Sequence, residues 1–241
     1  MVSNSAVDTE FLDQFREHLT ITGKSHHTIE AYTQDVRLFS EWFNQTKGRK
    51  LTPERITPID IREYRSHLLT VRNYKPATVN RKLASISAFC EWARGDELIS
   101  ANPTAGISQV DEIRPAPKWL DKNEQYALLR AVQEKGKTRD IALITLMLNT
   151  GLRVSEVSAL TVDDIEISPR KGSLTVRGGK GEKYRRVPLN IDTRKALQAY
   201  LDEQDESDKD CLFLSQRGGP LQPPGIYYLV NRYAYDARLE D

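Results

Sequence analysis

The sequence is poor in cysteine and contains no long apolar run. Cys90 and Cys211 are its only cysteines and lie far apart, so no disulfide framework is implied. No apolar segment approaches the roughly 18 to 20 residues that cross a bilayer, and no membrane partner is expected. The start, from Met1 to Asp8, lacks the charged and apolar regions of a secretory signal. The cytoplasm is therefore the expected compartment.

The sequence also lacks a strong net charge, since 35 Lys and Arg residues against 34 Asp and Glu residues give a formal charge of +1. A nucleic-acid-binding domain usually carries a clear positive excess. Here the basic residues are concentrated locally. Segment 47–82 holds ten basic residues against three acids, segment 170–186 holds seven against one, and acids collect at 202–210. Two positive patches predict a duplex held from two sides.

Length and hydrophobic pattern predict two domains, each large enough to bury a core. Apolar residues recur at helical spacing in four segments before residue 96, which predicts a helical bundle over 8–106. A polar, proline-containing linker is expected at 107–118, and a second domain at 119–241 whose first helix begins at the N-cap Asp121. That domain combines helices with a β-hairpin and a short buried strand at 211–214. The expected fold class is mainly α with a small β-hairpin or sheet, that is, α+β.

The second domain is organised around the stretch from Asn149 to Leu160. A largely apolar run at 141–148 precedes it and predicts a buried helix that Gly151 can end in a left-handed conformation. Val154, Val157 and Leu160 then share one face of a new helix, which places Arg153 in its first turn and Glu156 one turn on. A guanidinium beside backbone N–H groups at a helix start predicts an anion site. The alternative is a plain ion pair between Arg153 and Glu156.

A second basic cluster lies in an expected β-hairpin. Residues 173–177 alternate like a strand, and an extended pattern resumes at 184–189. Between them, Gly178, Gly179 and Gly181 surround Lys180, so the tip of the hairpin can approach another molecule closely. The seven basic residues of 170–186 make this hairpin a positive finger.

These segments together resemble the tyrosine recombinases, the phage-integrase family, and within it the Xer-like members. The match comprises Thr-Gly-Leu-Arg-Val-Ser-Glu at 150–156, Leu-Thr-x-x-Asp-Ile at 160–165, and Gly-Lys-Gly-x-Lys-x-Arg-x-Val-Pro-Leu at 179–189. The resemblance implies that Arg153 is the first catalytic arginine, that Glu156 supports the active-site helix, and that Lys180 is the hairpin lysine. Lys183 is close by in the sequence and is the alternative for the lysine nearest the phosphate. It implies DNA breakage and rejoining through a 3′-phosphotyrosine, with double-stranded DNA as partner and a homotetramer on two DNA sites in the intact protein.

The first domain carries its own resemblance to this family. The string Gly-x-Ser-x-x-Thr-Ile-x-x-Tyr-x-x-Asp-Val-x-x-Phe-x-x-Trp at 23–42 is similar to the N-terminal SAM-like core-binding domain. By resemblance the helix that starts at Pro76 crosses the major groove, and its polar face carries short polar and cationic side chains suited to phosphates and base edges. The predicted DNA contacts are Ser25, Thr28, Thr78, Asn80, Arg81, Lys82, Ser85, Lys183 and Arg185. The alternative for the helix face is a solvated surface.

The family pattern continues with a His-x-x-Arg box and a nucleophilic tyrosine, and the sequence after Leu189 contains no such box. All four histidines, His18, His26, His27 and His67, fall in the first domain. The late tyrosines Tyr227, Tyr228, Tyr233 and Tyr235 are interpreted as core and surface aromatics at helical spacing. We therefore expect a C-terminally incomplete catalytic domain that binds DNA without cleaving it.

No cofactor and no metal site are expected, and the adjacent His26 and His27 are interpreted as a poor metal site because sequence neighbours do not share a helix face. Two other functions stay open. One is a binding module without chemistry, a truncated relative that competes for DNA sites. The other is a DNA-relaxing enzyme of the related type IB topoisomerase class. The sequence leaves open the target sequence, the accessory proteins, and the choice between integration, excision and dimer resolution.

Overall fold

A computed structural model describes residues 9–112, 119–177, 184–204 and 211–239. It divides into two compact units, Met1–Ala116 and Pro117–Asp241. The described residues are mostly helical, with one small antiparallel sheet, which confirms the expected fold class. Among the helices described, none is both long and apolar enough to span a membrane.

The first unit is a bundle of four helices, α1 to α4. Their bounds are Thr9–Ile21, His26–Lys47, Pro58–Thr70 and Pro76–Gly95. Local chemistry sets their starts. Ser25 caps α2 by accepting a hydrogen bond from the Thr28 N–H, Thr57 and Asp60 form a reciprocal capping box at α3, and proline opens both α3 and α4.

Aromatic side chains fill the core of this bundle. Phe15 of α1 meets Phe89 of α4 edge to face, with ring centroids 5.3 Å apart, and both rings are buried. Phe39 of α2 lies 4.9 Å from the ring of Tyr64 in α3. Because such rings remove large apolar areas from water, these pairs fix how the four helices pack.

The second unit places five helices around a three-stranded sheet. Its helices are α5 (Lys122–Lys135), α6 (Thr138–Thr150), α7 (Val154–Ser158), α8 (Ile191–Leu201) and α9 (Pro223–Asp236). Its strands are β1 (Ile165–Ile167), β2 (Gly172–Val176) and β3 (Arg185–Pro188), in the antiparallel order β1-β2-β3. Leu174 at the centre of the sheet pairs with Ile165 on one side and Val187 on the other, and its side chain is fully buried.

Three features of this unit differ from the sequence prediction. Helix α7 has only five residues because the chain turns away after it, where the Leu160 carbonyl accepts a hydrogen bond from the Leu212 N–H at 2.8 Å. Strand β1 was not predicted, since three residues are too few to show a periodic pattern. Segment 211–214 is not a strand. Leu212 and Phe213 are buried in irregular chain, and a single bridge joins Leu214 to Pro220.

Candidate active site and DNA interface

The active-site stretch begins where α6 ends. Gly151 adopts a left-handed backbone with φ of 64°, and its N–H returns to the Met147 carbonyl. This is the helix end that the sequence predicts, because a side chain at such a φ is strained. Arg153 follows as the N-cap residue of α7, one position before the first turn in which it was expected. A five-residue helix adds little dipole, so a bound anion would depend on the guanidinium.

Glu156 is the centre of this site. Its carboxylate accepts a hydrogen bond from the backbone N–H of Arg153 at 2.9 Å and contacts the Arg153 guanidinium through one Nη1–Oε1 bond of 3.2 Å. A second guanidinium, from Arg185 on β3, donates to both oxygens at 2.9 and 2.7 Å. The ion pair between Arg153 and Glu156, which the sequence left as the alternative to an anion site, is therefore present, with Arg185 as a stronger partner of the same carboxylate.

Exposure separates the three side chains. The Glu156 side chain is 11% exposed, that of Arg185 is 44% exposed, and that of Arg153 is 78% exposed. Hydrogen bonds from Arg185, followed by the Arg153 backbone N–H, lower the pKa of Glu156 to about 2 against the penalty of burial. The carboxylate therefore stays charged at neutral pH. The site carries two guanidinium charges against one carboxylate, and its most exposed donors belong to Arg153.

The basic excess of the hairpin is partly neutralised by acids that precede it. Arg177 pairs with the buried Asp164 at 2.5 Å, while Arg186 on β3 contacts Glu166 and donates to the Ser173 hydroxyl. With Arg185 on Glu156, three of the seven basic residues counted in segment 170–186 are paired. The expected positive finger is thus weaker than its own sequence suggests. Lys180 and Lys183 lie outside the described residues.

On the first unit, α4 carries the predicted groove-facing side chains, and a buried carboxylate gathers three of them. Asp35 of α2 accepts from Arg81 at 2.5 and 3.1 Å, from the Lys82 ammonium at 2.8 Å and from the Ser85 hydroxyl at 2.8 Å. Ser85 is fully buried and Lys82 is 6% exposed. Both side chains are directed into the bundle and bonded there, which does not favour the predicted DNA contacts of Ser85 and Lys82.

Arg81 remains accessible at the rim of this cluster. Its side chain is 48% exposed although it pairs with Asp35. Sequence reasoning missed Asp35, yet a signal was present: Asp35 lies four residues before Phe39, on the apolar face of α2, where a carboxylate requires a buried partner.

The remaining predicted DNA contacts of the first unit differ in how accessible their side chains are to a ligand. Asn80 is committed to the backbone of Val110, donating at 2.9 Å and accepting at 2.8 Å. Thr78, in the first turn of α4, is partly exposed. Ser25 is exposed and Thr28 partly so at the start of α2, where their hydroxyls lie 2.9 Å apart. Thr78, Ser25 and Thr28 are thus placed where a ligand can reach them.

Two family models cover almost all of the chain. Residues 118–241 match the phage integrase family, and residues 11–100 match the phage integrase N-terminal SAM-like domain. The chain belongs to the phage integrase family. As in the sequence-based resemblance, its relatives include tyrosine recombinases of the Xer type.

Two relatives illustrate how far this similarity extends. The chain is 31% identical to tyrosine recombinase XerD of Ralstonia nicotianae over 237 residues, which cover 95% of this chain and 75% of that protein. It is also 31% identical to tyrosine recombinase XerC of Thermodesulfovibrio yellowstonii, over 93% of this chain and 75% of that protein. The family resemblance is confirmed over nearly the whole chain.

Solved structures of integrases share the fold. A lambda integrase dimer bound to a COC′ core site aligns with a TM-score of 0.74 at 18% identity, over 97% of this chain and 82% of that one. The Tn1549 transposon integrase in complex with circular intermediate DNA aligns with a TM-score of 0.69 at 19% identity, over 95% and 78%. At such identities the alignments establish the architecture and nothing about individual site residues.

Within this integrase-family fold, the late tyrosines divide as the sequence suggests. Tyr233 of α9 is fully buried, and its hydroxyl donates to Asp140 at 2.9 Å. Burial, followed by this bond to a carboxylate, raises the pKa of Tyr233 to about 12. Tyr227, Tyr228 and Tyr235 are 59%, 67% and 68% exposed. Tyr233 therefore stays protonated inside the core, and the other three line the surface of α9.

The start of α2 corrects one argument about histidine. His26, His27 and Glu30 are all exposed, and one ligand atom from each lies within 4.8 Å of the others. The argument that adjacent histidines cannot converge is wrong here, because side chains one residue apart on a helix diverge by only about 100° and imidazoles are long. Nothing else in the described structure points to an ion at this trio.

Proposed function

We propose that this chain is the DNA-binding and phosphate-activating part of a site-specific recombinase. The observation that carries the proposal is the arrangement at α7, where Glu156 is held by Arg185 while the Arg153 guanidinium stands exposed at the end of a buried helix. A guanidinium matches a phosphodiester with two parallel donors. Membership of the phage integrase family supports the reaction class.

In the proposed reaction Arg153 binds the nonbridging oxygens of the scissile phosphate. Charge develops on these oxygens as the phosphorus is attacked, so a fixed cation lowers the barrier. The family mechanism uses a tyrosine hydroxyl as nucleophile, which forms a 3′-phosphotyrosine and releases a 5′-hydroxyl. We assign Lys180, by its place in the Gly-Lys-Gly sequence, to protonation of that leaving oxygen.

The proposed DNA contacts of the first unit are the residues that remain accessible, Ser25, Thr28, Thr78 and Arg81. Arg81 is suited to a phosphate, since Asp35 fixes one side of its guanidinium and leaves the other side in solvent. Lys183 stays a proposed contact from its position in the sequence. Lambda integrase has been solved as a tetramer on a Holliday junction, and we propose a homotetramer on two DNA sites for the intact recombinase. DNA as substrate and the scarcity of cysteine support a cytoplasmic location.

The polypeptide of 241 residues holds only part of the catalytic set in its sequence. It contains Arg153 and Lys180 but no His-x-x-Arg sequence after Leu189, and its buried Tyr233 is unsuited to attack. We therefore propose that this polypeptide binds duplex DNA and forms no covalent adduct. This makes DNA binding without chemistry the second candidate function.

The test uses DNA sites selected from random duplexes at a stated salt concentration, followed by nicked suicide substrates built on the selected site. We expect retarded duplex that loses affinity steeply with salt, and no DNA-linked protein after denaturation. A covalent adduct would contradict the proposed lack of chemistry. Absence of salt-dependent duplex binding would contradict the proposed function as a whole.

A further inference from the structure

Arg153 and Arg185 share one carboxylate unequally. Arg185 donates to both oxygens of Glu156, at 2.9 and 2.7 Å, in the parallel geometry that makes guanidinium–carboxylate pairs strong. Arg153 reaches only one oxygen with its guanidinium, at 3.2 Å. The carboxylate is therefore occupied mainly by the arginine that lies 29 residues away in sequence.

This division affects the donors of Arg153. Glu156 lies three residues after Arg153, within easy reach of its side chain, and is only 11% exposed. If Arg185 were absent, Arg153 would be the nearest cation to a carboxylate that stays charged at neutral pH. A carboxylate that held Arg153 through both oxygens would compete with a DNA phosphate for the same donors.

We propose that Arg185 is a positioning residue for Arg153: by occupying Glu156 it leaves the Arg153 guanidinium available to a DNA phosphate and joins strand β3 to the start of α7. This inference rests on the proposed function and replaces the sequence-based assignment of Arg185 as a direct DNA contact. Arg185 itself acts through Glu156 and need not touch the DNA.

The test is a mutant cycle on the 241-residue chain, with a random-sequence duplex as probe. Affinity is measured between about 50 and 200 mM salt, where each phosphate contact contributes about 0.9 to the steepness of the log–log salt dependence. The variants are Arg153→Ala, Arg185→Ala, their double mutant, Glu156→Gln, and Glu156→Gln combined with Arg185→Ala. Thermal unfolding of each variant confirms that it is folded.

The proposal expects Arg153→Ala and Arg185→Ala each to reduce the salt dependence by about 0.9, and the double mutant to lose no more than either alone. It further expects Glu156→Gln to restore the salt dependence of Arg185→Ala, since the neutral amide no longer retains Arg153. If Arg185 only stabilised the fold, Glu156→Gln would not restore the salt dependence that Arg185→Ala had lost.

Arg186→Ala is the matched control, because it removes a guanidinium from the same strand while leaving Glu156 and Arg185 in place. Any loss it causes should not respond to Glu156→Gln. Arg185→Lys provides a second variant if Arg185→Ala unfolds. A lysine offers no two-pronged contact, so partial loss with rescue by Glu156→Gln is expected.

Two results would overturn the inference. Additive losses from Arg153→Ala and Arg185→Ala without rescue would make Arg185 a separate DNA contact, and an unchanged salt dependence in Arg185→Ala would leave it without a role. Failure of the proposed function would give different results. Either the unmodified chain would show no salt-dependent DNA binding, or Arg153→Ala would bind DNA with the same salt dependence as the unmodified chain.

Discussion

The two units each contain a carboxylate that holds two cations, with opposite results. In the first unit the side chain of Asp35 is 3% exposed, and Lys82 and Ser85 are buried with it as its hydrogen-bond donors. In the second unit Glu156 also sits below the surface, yet its partner Arg153 is 78% exposed. The same pairing of charges thus serves to hold a bundle together at one place and to present a cation at the other.

The difference follows from where the cations are attached. Arg81, Lys82 and Ser85 lie within two turns of one long helix that packs against α2, so their carboxylate is enclosed between two helices. Arg153 and Arg185 come from a helix start and a strand at the edge of the sheet, so solvent reaches both. The carboxylate between packed helices buries Lys82 and Ser85 and leaves Arg81 partly exposed. The carboxylate at the edge leaves both of its cations in contact with solvent, Arg153 most of all.

Asp35→Ala should have the largest effect among the substitutions that test this comparison. It leaves the buried Lys82 ammonium and one face of Arg81 without a counterion, so we expect the free energy of unfolding to fall by about 3 to 5 kcal/mol. Denaturant unfolding measures this loss. Glu30→Ala, which removes an exposed acid from the same helix, should stay within about 0.5 kcal/mol. A loss of similar size in both variants would show that burial of Asp35 is not the cause.

Glu156→Ala should have a smaller effect that depends on pH. It removes an ion pair and the acceptor for the Arg153 backbone N–H from a partly solvated place, so about 1 to 2 kcal/mol is expected at pH 7. Because the folded pKa of Glu156 lies near 2, below its ordinary value of about 4.3, this contribution is full above that ordinary value. It is lost as the pH falls through about 2.

The measurement is the difference in unfolding free energy between Glu156→Ala and the unmodified chain, followed from neutral to acid pH. Glu166→Ala is the matched control, since Glu166 also pairs with an arginine of β3 but is 70% exposed. It should change stability by less than about 0.5 kcal/mol. A Glu156→Ala effect that stayed constant down to pH 2 would contradict the role of the charged carboxylate.

Ser85→Ala tests whether Ser85 stabilises the bundle or contacts DNA. It removes one of the donors to Asp35 while the two cations remain, so a loss of about 1 kcal/mol is expected with no change in the salt dependence of DNA binding. Ser66→Ala, an exposed serine on α3, is the control for stability. Weaker DNA binding by folded Ser85→Ala at unchanged stability would restore Ser85 as a contact.

Sequence reasoning succeeded where the interactions that decide the structure join residues close together in the sequence. Asp121 and Gly151 act on residues within four positions of themselves, so the start of α5 and the end of α6 were predicted correctly. The neighbourhood of Arg153 and Glu156 was predicted for the same reason, with help from the family resemblance.

What sequence reasoning missed was decided by partners far along the chain. Asp35 is 50 residues from Ser85, and Glu156 is 29 residues from Arg185. A helical pattern shows that Lys82 and Ser85 share a polar face, but it cannot show that a carboxylate of another helix covers that face. The pairing of Arg177 and Arg186 with acids outside the hairpin was missed for the same reason.

Arg153→Ala tests the same comparison between the Asp35 and Glu156 clusters at the residue where the smallest change in stability is expected. A clear change in DNA binding should accompany it. The side chain makes one 3.2 Å contact with Glu156 and is mostly in solvent, while its backbone N–H still donates to Glu156 after the substitution. We expect the free energy of unfolding to change by less than about 0.5 kcal/mol, as for other exposed ion pairs. The salt dependence of duplex binding should fall by about 0.9, the contribution of one phosphate. Arg94→Ala removes another exposed guanidinium, which is paired with Glu91 three residues before it, and it provides the reference for stability. If Arg153→Ala destabilised the fold as Asp35→Ala is expected to do, Arg153 would belong with the structural cations, and the contrast between the two carboxylates would fail.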